Sequence, residues 1–196
     1  MTEGHPGGEA TEGPAALAPG RLLVATPALV DPNFERTVVL LLDVDDDGAL
    51  GVVLNRPSPV PVQEVLPGWG DVLAGPDVLF QGGPVSTDSA LAVADLRDEE
   101  PLGFRRLFGS TGIVDLDTPT EIMGPALSRL RVFAGYAGWG SGQLEEEIEE
   151  GSWLVLLAEP GDLFGGDPER LWSRVLRRQP GELAWVSTRP TDPTLN

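Results

Sequence analysis

The sequence predicts an α+β (mixed α/β) chain built around a partly antiparallel sheet. Three observations carry this. Two strongly apolar runs, 37–44 and 50–55, flank the turn Asp45-Asp46-Asp47-Gly48 and read as a β-hairpin. The helical patterns are short and scattered. Strands and helices do not alternate regularly, as stacked βαβ units would require.

The elements follow in chain order. Segment 1–19 is rich in Gly, Pro, Glu, Thr and Ala, with little to bury, and is expected to be a disordered tail. It contains the single histidine, His5. Leu22 to Ala25 reads as a buried strand, and 27–34 as a loop punctuated by Asp31-Pro32-Asn33. The β-branched and leucine run 37–44 fits a strand buried on both faces. Prolines crowd 57–76, where only 62–66 has helical character. Val78 to Gln81 is a short strand leading into the turn Gly82-Gly83-Pro84-Val85.

Further strands are expected at 91–96, 104–108, 112–116, 129–134 and 153–158. Helices are expected at 120–127, with Thr118 as its cap, at 142–150, and from Asp167-Pro168 to Arg178. Segment 135–142, holding Gly135, Gly138, Gly140 and Gly142, reads as a glycine-rich turn between strand and helix. Residues 20–186 then form one domain, and 187–196 is a frayed polar tail.

Composition excludes several chemistries. The chain of 196 residues has no cysteine, which removes disulfides, thiolate metal sites and cysteine nucleophiles. All 13 basic residues are arginine, so a P-loop lysine or a lysine general base is absent. The formal net charge of −18 argues against direct DNA binding. No apolar run approaches a membrane span and no signal-peptide pattern opens the chain, so a cytoplasmic protein without a membrane partner is expected. Apolar residues at 41% and a mean hydropathy of −0.03 fit a globular chain.

Two segments match the opening of a chemical motif, and neither completes it. Asp43, Asp45, Asp47 and Gly48 match the start of a calcium loop, but the twelfth position is Leu54 where a bidentate Glu is needed. A solvated hairpin turn explains them, and no metal site is assigned. Gly138-x-Gly140 matches the opening of a dinucleotide fingerprint, but Gln143 holds the third glycine position. Glu145, Glu146 and Glu147 behind it would repel a phosphate. No cofactor is expected. Ser141 lacks a partner histidine, and Gly-x-Ser-x-Gly is absent, so no catalytic residue is assigned.

Five of the six residues Glu145 to Glu150 are acidic. They form a solvated face or pair with Arg170, Arg174, Arg177 and Arg178 in the last helix. Gln143 and Glu147 share a helix face one turn apart. Finally, Asp31, Asn33 and Arg36 in one loop, and Asn55 and Arg56 at a strand end, are candidates to converge beside the hairpin.

Taken together, four segments are similar to the YqgE/AlgH family. They are Pro27-Ala28-Leu29 through Asp31-Pro32 and Phe34; Gly48-Ala49 and Gly51 through Asn55-Arg56-Pro57; Gly82-Gly83-Pro84-Val85; and Gly135-Tyr136-Ala137-x-Trp139 through Gly142-Gln143-Leu144-Glu145-x-Glu147-Ile148, with Trp153. The resemblance implies a bifurcated mixed β-sheet curled into a pseudo-barrel and flanked by helices. It implies no established reaction. Members are sometimes labelled transcriptional regulators, although no helix-turn-helix or basic patch is visible here.

The reading that follows is a non-enzymatic cytosolic regulatory or interaction protein. Its binding patch is expected to comprise Asp31, Asn33, Arg36, Asn55, Arg56, Tyr136, Trp139, Gln143 and Glu147, and its partner to be a protein or a small ligand. The alternative is a small-ligand- or divalent-metal-binding protein, or a hydrolase, working through carboxylates.

Overall fold

The computed structural model describes residues 16–181 together with Ala184 and Trp185. The expected tails, His5 included, lie wholly or largely outside the described residues. Ten strands form one curled, forked sheet, a half-barrel with a few short helices. The strands are β1 (Arg21–Ala25), β2 (Val38–Asp45), β3 (Gly48–Val53), β4 (Pro57–Pro61), β5 (Val78–Gln81), β6 (Val85–Leu96), β7 (Phe104–Phe108), β8 (Thr111–Val114), β9 (Leu127–Gly140) and β10 (Trp153–Leu157). The helices are α1 (Val62–Val65), α2 (Thr120–Met123), α3 (Gln143–Glu149), α4 (Pro160–Phe164) and α5 (Leu171–Arg177).

The main path runs β10-β1-β2-β3-β9-β6-β8-β7, antiparallel throughout. The expected β2–β3 hairpin is present. Asp45 Oδ1 accepts from the Asp47 and Gly48 backbone N–H groups at 2.9 and 3.1 Å, so its carboxylate builds the turn.

Strand β9 makes the fork. Its C-terminal half, Ala137 to Gly140, pairs with β3, while Phe133 and Ala134 pair in parallel with β5. Gly82 sits in the opening between the two branches. It accepts from Val53 N (2.8 Å) and donates to Ala134 O (2.9 Å). A Cβ at Gly82 would lie 2.2 Å from Gly135 O, so only glycine fits the wedge.

One core fills the concave face that both branches share. Leu22, Leu40, Val52, Phe80, Val93 and Phe133 meet Leu163, Phe164, Leu171 and Trp172 from α4 and α5 there. The half-barrel closes through side chains: Arg105 Nη2 on β7 donates to Leu42 O on β2 at 2.9 Å. Two smaller cores lie on the outer faces. One packs α1 and α2 against β6, β8 and β9. The other packs α3, Trp139 and Trp153 against β1–β3.

Several expectations are corrected. Gly135 to Gly140 is strand, because Gly138 and Gly140 pair with Leu50 and Gly48. The turn is confined to Ser141-Gly142. Proline-bearing 57–61 is a strand too, tolerated because β4 is a sheet edge. The strand expected at 91–96 begins at Val85, bulging where Val85 and Ala90 oppose Tyr136 and Ala134.

Helix α2 stops at Met123, before Gly124-Pro125. Pro119 takes its N-cap with no side-chain cap bond, so Thr118 is not a cap. Helix α5 begins at Leu171 rather than Asp167. Among the described residues its arginines form no ion pair with the Glu145–Glu150 run. Arg178 pairs with Asp162 (2.7 Å) and Glu159 (3.2 Å) at α4, and Arg170 pairs with Asp167 (3.3 Å).

Candidate functional site

The loop before β2 is tied down from both ends of the candidate set. Asp31 Oδ1 accepts from Asn33 N at 2.7 Å, closing an Asx turn. Asn55 accepts from Val38 N at 3.0 Å and donates to Arg36 O at 2.9 Å, so its amide is consumed in holding the loop against β2. Arg56 Nη2 donates to Pro32 O (3.0 Å) and Glu35 O (3.3 Å). The Asn-and-Arg loops do converge.

The chain is compact enough there that successive side chains serve different surroundings. Phe34 turns inward, Asn33 faces out, and Arg36, at φ 54°, lays its guanidinium 4.6 Å from the Trp172 ring centre.

Behind Phe34 lies an aromatic clasp. Phe34 lies 6.1 Å from Trp139 and 5.6 Å from Trp153, and the two indoles meet edge-on at 5.9 Å. Both indole N–H groups donate to Glu147 Oε2, at 3.0 Å from Trp139 and 2.8 Å from Trp153. Gln143 Nε2 donates to Glu147 Oε1 at 2.9 Å, and Gln143 Oε1 accepts from Gly140 N at 3.1 Å. The i, i+4 pair seen in the sequence is therefore an anchor for two buried tryptophans. Its carboxylate oxygens are occupied.

In front of the loop, at the sheet fork, is a cleft of about 490 Å³. Asn33, Arg56, Ser58, Gln81 and Thr87 line it together with Val53, Val60, Leu79, Gly83, Pro84 and Ala134. The side chains of Asn33, Gln81 and Thr87 make no hydrogen bond among the described residues. The volume lies within the ~300–1,000 Å³ typical of ligand clefts.

The structure thus divides the expected patch. Asn33 and Arg56 line the cleft, while Asp31 and Asn55 hold the backbone of the loop beside it. Trp139, Gln143 and Glu147 lie in the clasp. Arg36 covers Trp172, and Tyr136 packs on the concave core, on the face of β9 opposite Trp139. Ser58, Gln81 and Thr87 were invisible as site residues in the sequence. Only the position of Gln81, at a strand end before Gly82-Gly83, offered a signal.

Arg131 is a further residue that sequence reasoning missed. It lies within the concave core, 2% exposed, donating to Leu163 O and, at 2.9 Å, to Gly75 O. Its guanidinium lies 4.2 Å from the Phe80 ring centre, and its Nε has no hydrogen-bond partner among the described residues. Burial, and secondarily the charge of Arg129, lower its pKa to about 10. It joins α4 and the 73–76 segment to β9. The described residues hold no group of three or more metal-ligating His, Cys, Asp or Glu, and no helix among them is long and apolar enough to cross a membrane.

Fold and site together define a forked half-barrel with a polar cleft at the fork and an aromatic–carboxylate clasp behind it. The AlgH-like family model matches residues 22–184, and the chain belongs to that family. A UPF0301 protein of Streptomyces avermitilis is 61% identical over 182 residues, covering 90% of this chain and 94% of its own. One from Mycobacterium tuberculosis is 44% identical across the full length of both chains. The crystal structure of DIP2367 from Corynebacterium diphtheriae superposes with a TM-score of 0.86 at 34% identity, covering 90% of this chain and 95% of that one. The solution structure of AlgH from Pseudomonas aeruginosa gives 0.65 at 29%, covering 88% and 94%.

Proposed function

We propose that this chain is a non-enzymatic recognition protein of the cytosol, acting in regulation through what it binds at the fork cleft rather than by contacting DNA. The observation that carries the reading is the cleft itself. Hydrogen-bonding side chains without internal partners converge there on an apolar floor.

Several carboxylates that a hydrolase could draw on are committed to structural bonds. Asp31 and Asp45 close turns, and Glu147 holds two indoles and an amide. Asp95 and Asp162 are bound to arginines at 2.6 and 2.7 Å. The fork cleft is lined by Asn, Arg, Ser, Gln and Thr without a carboxylate, so general acid–base chemistry has no residue to run on there.

A photo-activatable side chain at Thr87 tests the reading in growing cells, with the same group at Glu121 on α2 as control. A discrete adduct at position 87 that is absent at position 121 is the expected result. Equal labelling at both positions, or none at 87, rejects the fork cleft as the recognition surface.

A further inference from the structure

Electrostatics narrows the ligand. In a chain with 31 acidic and 13 basic residues, a random surface cleft should carry carboxylates. This one has none among its lining residues and one guanidinium. Arg56 uses Nη2 for the loop carbonyls, and its remaining N–H groups carry no hydrogen bond among the described residues. Asn33, Gln81 and Thr87 add free donors around it, and Val53, Leu79 and Ala134 form an apolar floor. A guanidinium with flanking neutral donors matches a carboxylate, and the floor matches a short aliphatic group.

Resting on the recognition reading above, we propose that the fork cleft binds a carboxylate flanked by an amide and a short aliphatic side chain, with Arg56 as the anchoring cation. That chemistry occurs both in small N-acylated amino acids and at the C-terminus of a peptide chain. The cleft's polar groups read the amide, and Val53, Leu79 and Ala134 receive the aliphatic group.

Titration of the isotope-labelled full chain, followed by amide NMR, tests this. The probes are N-acetyl-valine, its neutral amide N-acetyl-valinamide, and the peptide N-acetyl-Gly-Gly-Val. Saturable shifts at the Gln81, Gly83 and Thr87 amides are expected with the free acids. The neutral amide should bind about tenfold more weakly, as should N-acetyl-valine to the Thr87→Glu variant. Thr87 is exposed and its side chain makes no internal bond, so that variant leaves the fold intact. Gln81→Leu, equally exposed, should also weaken binding without unfolding.

Comparable affinity for N-acetyl-valine and the peptide assigns a free metabolite; a peptide about tenfold tighter assigns a chain terminus. No shift with either acid at about 10 mM overturns the proposal. Equal binding of acid and amide overturns the carboxylate assignment while leaving a recognition cleft. Absence of the position-87 adduct is what removes the broader reading.

Discussion

Glu147 shows how a single carboxylate can hold an outer core together. Its two oxygens receive the N–H groups of Trp139, Trp153 and Gln143. Glu147→Gln would place an NH₂ donor against one of those donors while removing an acceptor. A loss of about 1–3 kcal/mol in urea unfolding is expected, with altered near-UV dichroism from the two indoles. Unchanged stability would mean that the indoles are held by packing alone.

Arg131 makes the complementary case of a buried cation. Its folded pKa, about 10, is below its unfolded value, so the folded state binds this proton less tightly. Stability from this group therefore rises with pH only above about 10 and is flat at neutral pH, where both states are charged. Arg131→Lys keeps the charge but loses the planar fork that reaches Leu163 O and Gly75 O together. It should lower stability by about 1–3 kcal/mol in urea unfolding at pH 7, and unchanged stability would contradict the assignment.

At the scale of elements, the fork depends on how closely β5 and its exit can approach β9. A Cβ at Gly83 would lie 2.1 Å from the Tyr136 carbonyl carbon, against backbone that cannot give way. At Gly142, φ +74°, nothing lies within 4 Å. Gly83→Ala is expected to cost about 3 kcal/mol or more, or to prevent folding. Gly142→Ala should cost only about 1–2 kcal/mol of left-handed backbone strain. Thermal unfolding of the two variants separates close approach from conformational freedom.

The same contrast explains which elements were legible. Strands β1, β5 and β10 declare themselves by apolar runs, and β2 by a run interrupted only at Asp43. Helix α3 does so by its acidic face with Leu144 and Ile148 on the other. Residues Gly135–Gly140 and Pro57–Pro61 read as non-strand because glycine and proline are poor strand formers. They are strands because of their neighbours. Gly140 faces Gly48 across a ladder, and β4 is an edge that can dispense with N–H groups. Helix α4, only five residues long, is fixed by the reciprocal Glu159–Asp162 cap and by Arg178.

For the whole molecule, a net charge of −18 on 196 residues makes self-repulsion a general destabilising field. Raising NaCl from about 10 mM to 0.3 M should raise the thermal midpoint by several degrees through screening. A midpoint that falls would show that local ion pairs such as Arg178–Asp162 outweigh the net field.

The sequence by itself determined the α+β class, the central hairpin, the absence of thiol and lysine chemistry, and the family resemblance. Those rest on composition and on local periodicity, which neighbouring residues alone create. It also singled out the loops at Asp31–Arg36 and Asn55–Arg56, since two loops that each carry Asn and Arg and flank one hairpin can present a polar pocket. Only the tertiary structure decided which of the nine candidate residues share a surface. Trp139 and Tyr136 are three positions apart yet lie on opposite faces of β9, whereas Gln81 and Thr87 meet Asn33 and Arg56 across the fork. Such meetings depend on where a sheet divides. That division is set by pairing between strands distant in the chain, not by any local pattern.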